Sequence, residues 1–275
     1  MKKRAFALLL ALLIPAGLAS HGAAEAQGER APKVAPKVPM AAAQVLRRLP
    51  HDPHAYTEGL FIHNGQLFES TGMEGRSSLR RVDLNSGRVL EKTDLPRPLF
   101  GEGIAPWRDQ ILMLTWRDGL GFRFTRAGFR PIGRFTYLGE GWGMTARPDG
   151  AELIMSDGSN TLRFIDPATF RTRRMLSVTA DGIGVDMLNE LEWVNGEILA
   201  NVWMTSRIAR IDPATGRVKG WIDLAALARE AGATGPDQVA NGIAWDAVGK
   251  HLYVTGKEWP VMFEIAPPAA APPAH

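Results

Sequence analysis

A short apolar strand ending in Ser, Thr or Asn occurs five times along this chain: Leu67-Phe68-Glu69-Ser70, Leu112-Met113-Leu114-Thr115, Leu153-Ile154-Met155-Ser156, Ile198-Leu199-Ala200-Asn201 and Leu252-Tyr253-Val254-Thr255. The copies lie about 40 to 55 residues apart, a period that marks repeated supersecondary units. Upstream of each stands a partner that opens on a polar or small residue: Glu58-Gly59-Leu60, Glu102-Gly103-Ile104, Gly141-Trp142-Gly143-Met144, Asn189-Glu190-Leu191 and Asn241-Gly242-Ile243. Downstream comes a third strand, as in Leu79 to Val82 and Ile208 to Ile211. Several copies then carry a turn of the form Asp-x-x-(Ser/Thr)-Gly, seen in Asp83 to Gly87 and Asp212 to Gly216. The Asp side chain accepts backbone N–H groups further along, and Gly takes a positive φ, so this is a hairpin turn. A fourth strand follows in the first four copies.

Four short antiparallel strands repeated five times predict an all-β chain, a five-bladed β-propeller. The fifth copy lacks a fourth strand after Ile265, and an unpaired strand, Gln44 to Leu49, precedes the first copy. That N-terminal strand is expected to complete the last blade and close the ring, which removes the exposed edges of an open array. Asp223 to Ala231, with Leu224, Leu227 and Ala228 at helical spacing and Asp223 as N-cap, reads as a surface helix in the connection to the fifth blade.

Outside the repeats the composition changes. Lys2, Lys3 and Arg4 precede the apolar run Ala5 to Leu18 and the small-x-small site Ala24-Glu25-Ala26, so residues 1–26 read as a signal peptide. The run is too short and too interrupted, by Pro15 and Gly17, for a membrane span. Residues 27–43 are rich in Pro and Ala and read as a flexible linker, and 266–275 as a disordered tail. Residues 44–265 form the propeller domain. The chain has no Cys, which excludes disulfide staples, zinc-thiolate sites and a thiol nucleophile. Export without cysteine suits a periplasm, or secretion. A net charge of +3 with no dense basic run after the N-terminus points away from nucleic acid. No membrane partner is expected after signal removal, and the protein is expected to act as a monomer.

In a propeller the innermost strand of each blade lines the central channel, and the loops entering those strands open on one face. Glu58, Glu102, Asn189, Glu190 and Asn241 are therefore expected near one mouth, with Trp116, Trp142, Trp203 and Lys257 beside them. Such a gathering of carboxylate, amide, ammonium and indole groups suits a small-molecule or peptide-end pocket. Glu69, Glu190, Glu192 and Asp157 read as braces between blades. Trp107, Trp193, Trp221, Trp245 and Trp259 read as inter-blade packing. His51 and His54 resemble a metal pair, but they sit in a Pro-bearing turn with no evident third ligand.

The order of Tyr56-Thr57-Glu58-Gly59-Leu60, Phe100-Gly101-Glu102-Gly103-Ile104, Gly141-Trp142-Gly143, Leu188-Asn189-Glu190-Leu191-Glu192, Ala200-Asn201-Val202-Trp203 and Val254-Thr255-Gly256-Lys257 closely resembles the plant and bacterial, papaya-type, glutaminyl-peptide cyclotransferases. The resemblance runs through all five repeats, over 44–265. It implies conversion of an N-terminal glutamine of a peptide or small protein to pyroglutamate, with release of ammonia. The family's catalytic acid falls on Glu102. Its pocket aromatics fall on Tyr56, where the family often has Phe, and on Phe100, Trp116, Trp142 and Trp203, and its polar site residues on Asn189 and Lys257. Glu58 stands where Gln is common, and a second carboxylate near Glu102 is expected to raise the pKa of one of the two.

The implied chemistry needs one carboxyl group that takes a proton from the attacking amine and passes it to the leaving nitrogen. Asn189 and Lys257 would hold the amide and stabilise the oxyanion, and aromatic walls would favour a cyclising conformer. This scheme uses no metal or other cofactor, while leaving room for a structural Ca²⁺ in the channel. Two alternatives remain open from the residues alone. One is a metal-dependent propeller lactonase or esterase, with Glu58, Glu102, Asn189 and Asn241 around a Ca²⁺; the other is a non-catalytic propeller that binds peptides.

Overall fold

The computed structural model describes residues 37–268. The readings placed on residues 1–36 and 269–275, the signal peptide included, lie outside them. Five sheets, each containing four antiparallel strands, follow one another along the chain. Their innermost strands are Thr57–His63, Gly101–Trp107, Met144–Ala146, Leu188–Val194 and Ala240–Asp246, and the sheets are numbered here as blades I to V in that order. Within blades I to IV the strand order from inside to outside is the order along the chain.

Blade V holds three consecutive strands and takes its outermost from the N-terminal side. Val45–Pro50 pairs antiparallel with Val261–Ile265, from Val45 opposite Ile265 to Pro50 opposite Val261. The expected ring closure is therefore observed. Pro50, which has no N–H, is placed at the end of an edge strand, where a missing donor leaves no ladder bond unmade.

Each blade is packed between two others, so both faces of its inner strands are buried, and the period-2 alternation carries apolar residues on both sides. In Thr57–His63, Leu60 joins the apolar cluster between blades V and I, while Phe61 joins the one between I and II. One such cluster fills each of the five gaps. Trp245 and Trp259 are buried in the gap between blades IV and V, and Trp107, Trp193 and Trp221 pack against neighbouring clusters. Outer strands such as Val89–Asp94 alternate between half-buried and exposed positions.

The polar residue that ends each second strand also has a physical role. Ser70 Oγ donates to the carbonyl of Glu102 in blade II (2.7 Å), and Ser156 Oγ to that of Asn189 in blade IV (2.7 Å). Asn201 Oδ1 accepts the Gly242 N–H of blade V (3.0 Å). In these three blades the recurring hydroxyl or amide ties one inner strand to the next. Thr115 and Thr255 instead bond carbonyls of their own blades.

The turns form as expected. Asp83 Oδ1 accepts from the backbone N–H (2.9 Å) and hydroxyl (2.6 Å) of Ser86, with Gly87 at φ 68°. The third copy ends in Phe170 at φ 56°, where the first and fourth have Gly. Its ring stacks on Phe135 with centroids 3.8 Å apart, a buried contact that offsets the cost of the left-handed backbone.

Three local features differ from the sequence expectation. Met40–Ala42, within the stretch read as linker, forms a strand parallel to Trp221–Asp223 on the outer edge of blade IV. A small hairpin, Thr179–Ala180 with Ile183–Gly184, follows blade III. The helix spans Ala225–Glu230, shorter than predicted, and its N-cap is Leu224 rather than Asp223. Asp223 acts one residue earlier, accepting the Ala225 N–H (2.8 Å). Nor is this helix merely superficial, because Leu224 and Leu227 are buried in the cluster between blades IV and V.

Candidate active site

Four inner strands carry a β-bulge at their channel entrance. In blade I the extra residue is Glu58, between the pairs Thr57 opposite Thr71 and Gly59 opposite Ser70. In blades II, IV and V the register shifts across Glu102-Gly103, Asn189-Glu190 and Asn241-Gly242. A bulge turns side chains out of the alternation, and bulges occur often beside active sites. This explains why an acidic or amide residue, commonly followed by Gly, opens these four repeats: a Cβ on Gly59 or Gly103 would fall 2.7 Å from the Ile104 nitrogen or 2.5 Å from the Met144 nitrogen of the next blade.

The loops around these bulges enclose a cavity of about 190 Å³, lined by Tyr56, Glu58, Phe100, Glu102, Trp116, Trp142, Asn189, Trp203, Asp237 and Lys257. Each residue onto which the family resemblance carries a site role lines it, while Glu190 and Asn241, also expected near the mouth, do not. The placement follows repeat geometry: Tyr56 and Phe100 stand two residues before a bulge, and Trp116, Trp203 and Lys257 stand just after a second strand. Asn241 and Glu190 are buried behind the wall. Asn241 Nδ2 donates to the Thr57 carbonyl (2.9 Å) and to Glu58 Oε2 (3.1 Å).

The aromatic wall is made of two groups of touching rings. Tyr56 meets Phe100 edge-on at 6.1 Å, Phe100 lies 5.5 Å from Trp116, and Trp142 meets Trp203 edge-on at 5.5 Å. Two glycines make room for it, since a Cβ on Gly72 would overlap the Phe100 ring and one on Gly158 would fall 2.7 Å from Trp142.

Sequence reasoning missed two residues here. Glu140 Oε2 accepts the indole N–H of both Trp116 (2.8 Å) and Trp142 (2.9 Å), while Oε1 accepts from Arg117 Nε (3.2 Å). Burial disfavours its charge, but the two indoles and Arg117 hold its pKa below the ordinary value. Its sequence signal was the Glu-Gly pair of Gly139-Glu140-Gly141, placed two residues before Trp142 as Tyr56 is before Glu58. Asp237 is exposed on the rim, in the connection to blade V, and carries no repeat signal.

Two carboxyl groups face the pocket in unlike states. Glu58 is buried and ion-paired to Lys257 (Oε1 to Nζ, 2.7 Å), with Asn241 on its other oxygen. Burial pushes Glu58 up to about 7 against the pull of Lys257 and Asn241. Glu102 is also buried, and burial, then the Glu58 charge, push its pKa well up, with no hydrogen bond to hold its charged form. Of the two, Glu58 carries the charge beside Lys257, and Glu102 keeps its proton. Burial opposes the Lys257 charge, but Glu58 and Glu102 outweigh it and hold the lysine above its ordinary pKa. Its Nζ also sits 4.4 Å from the Tyr56 ring centroid. The buried Asn189 Oδ1 has no hydrogen-bond partner among the described residues. An unpaired acceptor of this kind costs about 1 to 3 kcal/mol until a donor arrives.

The other carboxylates are structural. Glu190 accepts the Leu60 N–H of blade I (3.1 Å) and the Ile243 N–H of blade V (2.8 Å). Glu192 accepts from Trp245 (2.9 Å) and Thr145 (3.1 Å). Glu69 binds His51, Thr57 and Arg80. Asp157 pairs with Arg163 of its own blade (2.5 Å), so it braces blade III internally rather than linking blades. His51 places Nδ1 2.7 Å from the Trp259 carbonyl and Nε2 3.0 Å from Glu69, so both ring nitrogens donate. It is therefore a buried cation at the ring junction and no metal ligand, whereas His54 is exposed. Among the described residues no three His, Cys, Asp or Glu side chains gather as a metal site, and no helix is long and apolar enough to cross a membrane.

The family model for glutamine cyclotransferase matches residues 13–266. A glutaminyl-peptide cyclotransferase of Arabidopsis thaliana is 42% identical over 229 residues, which cover 81% of this chain and 70% of that protein. The crystal structure of Myxococcus xanthus glutaminyl cyclase matches with a TM-score of 0.77 at 37% identity, covering 82% of this chain and 96% of the other. With the repeat, the closed ring and the acidic aromatic pocket already in place, these matches show that the chain belongs to the glutamine cyclotransferase family.

Proposed function

We propose that the pocket takes the N-terminal glutamine of a peptide and cyclises it to pyroglutamate, with release of ammonia. The observation that carries this reading is Glu102: a buried carboxyl group without a hydrogen-bond partner, pushed toward its protonated form by burial and by Glu58, set in an aromatic pocket beside the Lys257–Glu58 pair. The α-nitrogen lone pair attacks the side-chain amide carbon, forming the ring C–N bond. The carboxyl proton of Glu102 goes to the amide nitrogen, which leaves as ammonia when its C–N bond breaks. The α-nitrogen proton returns to Glu102, so the enzyme ends as it began.

The other groups orient this reaction. Asn189 Oδ1 accepts an N–H of the substrate and so recovers its unmet hydrogen bond. Lys257 uses one N–H on Glu58 and keeps two for the developing oxyanion. The indole and phenyl walls hold the glutamine side chain folded and exclude water, so that cyclisation outruns hydrolysis. This route uses no metal: the proton shuttle and the oxyanion contacts come from side chains, and Glu58, one of the four that the Ca²⁺ reading needs, is engaged with Lys257 and Asn241. Activity is expected to survive chelation.

The test is ammonia release, with a matching 17 Da mass loss, from a Gln-initiated peptide between about pH 5 and 9. Glu102→Gln should lower kcat by about 10²- to 10⁴-fold, the usual worth of a general acid–base group. Turnover by that variant at the wild-type rate would refute the assignment, and absence of ammonia release at every pH would refute the function. From the residue pattern of 1–26 we also propose export to the periplasm or medium, tested by the intact mass of the mature protein; action as a monomer on peptides is a separate proposal, tested by light scattering.

A further inference from the structure

A second hollow, of about 450 Å³, opens beside the aromatic pocket, and the half-buried Tyr56 lines both. Its other walls come from the loop into the inner strand of blade I, the turn after the second strand, the start of the third and the end of the outer strand with its connection to blade II. In an antiparallel blade all of these lie at one end, the end at which the pocket opens. Four cations, Arg76, Arg80, Lys92 and Arg97, line the hollow against two carboxylates, Asp52 and Asp94. Arg80 is paired with Asp52 and Lys92 with Asp94, each at 2.8 Å. Arg76 and Arg97 are left without a carboxylate partner among the described residues.

A peptide whose first residue fills the pocket must lead the rest of its chain out, at about 3.4 Å per extended residue. On the blade V side the exposed Asp237 lines the pocket and disfavours an acidic chain there, and on the blade II side the Arg117 cation is already paired with Glu140. We propose that the residues following the glutamine pass over Tyr56 into this hollow, and that Arg76 and Arg97 select acidic side chains at those positions. The proposal rests on the glutaminyl reading of the pocket. A guanidinium fork accepts a carboxylate in bidentate fashion, which suits Asp or Glu better than a neutral residue.

Three C-terminally amidated peptides test it, Gln-Ala-Ala, Gln-Glu-Glu and Gln-Lys-Lys, because amidation leaves the side chains as the only carboxylates. The wild type should show kcat/KM about fivefold higher for the Glu peptide than for the Ala peptide at low salt, a preference that shrinks as salt rises. In the double variant R76E/R97E the order should invert toward the Lys peptide. These are ratios within one preparation, so a partly folded variant does not distort them. A wild-type ratio near one, or a Glu preference retained in the double variant, overturns the inference while leaving the function intact. If the wild type turns over none of the three, the glutaminyl reading falls and this inference with it.

Discussion

Glu140 offers a direct test of how the pocket is held, because one of its oxygens accepts both indole N–H groups while the other meets only Arg117. Glu140→Ala removes two charge-assisted hydrogen bonds, each worth about 1.5 kcal/mol at the lower end of their range. The side chain is 38% exposed, so solvent screening discounts the sum by about half. About 1.5 kcal/mol remains, or about a tenfold loss in kcat/KM on a Gln-initiated peptide. Glu140→Gln should recover most of it, since a carbonyl oxygen in the place of Oε2 accepts both indoles and only the Arg117 contact is lost. The assay is steady-state kinetics on both variants, with tryptophan fluorescence as the structural readout. An Ala variant with wild-type kcat/KM, or a Gln variant as impaired as the Ala variant, would show that the shared acceptor does not set the wall.

Two further outcomes follow from the charges. In Glu58→Gln, burial still raises the Glu102 pKa, but the Glu58 contribution vanishes and Lys257 faces Glu102 alone, so the limb of the kcat/KM profile that reports Glu102 should move to lower pH; an unmoved or alkaline-shifted limb contradicts this. Glu69→Gln leaves the buried His51 without its carboxylate and Arg80 with Asp52 alone, and should cost about 3 kcal/mol, the lower end of the range for a broken buried pair, in urea unfolding. Burial acts against both charges, yet Glu69 is held down to about 2 from 4.5 and His51 above 6.5. The Glu69 contribution is present above pH 4.5 and fades as pH falls toward about 2. That of His51 is present below pH 6.5 and fades as pH rises through its raised pKa. The difference between wild type and variant should therefore be greatest between about pH 4.5 and 6.5 and shrink on both sides; a flat difference would refute the charged latch.

Much of the architecture was legible in the chain because each blade is a local unit. Hairpins are short-range, their turns have their own chemistry, and five copies in phase leave few ways to bury both faces of every strand. Site positions were legible for the same reason, since equivalent places in each repeat reach the same mouth. Glu140 escaped because its Glu-Gly signal does not say what the carboxylate accepts; its importance lies in two indoles, one of them 24 residues away. The Asp223 cap was misplaced by one residue, and the helix went deeper than expected, because the gap between blades IV and V had room for Leu224 and Leu227.

What sequence by itself determined is the repeat, the closing strand and the set of residues around the channel. It did not set the protonation states of the carboxylates. Glu58, Glu69, Glu102, Glu190 and Glu192 all lie in or beside blade strands with similar local sequence, yet they end in different states. Lys257 reaches Glu58 across 199 residues, backbone N–H groups of blades I and V satisfy Glu190, His51 and Arg80 ionise Glu69, and Glu102 alone of the pocket pair is left with burial and a like charge. Protonation depends on desolvation and on neighbours a few ångströms away, and those neighbours exist only once the ring has closed.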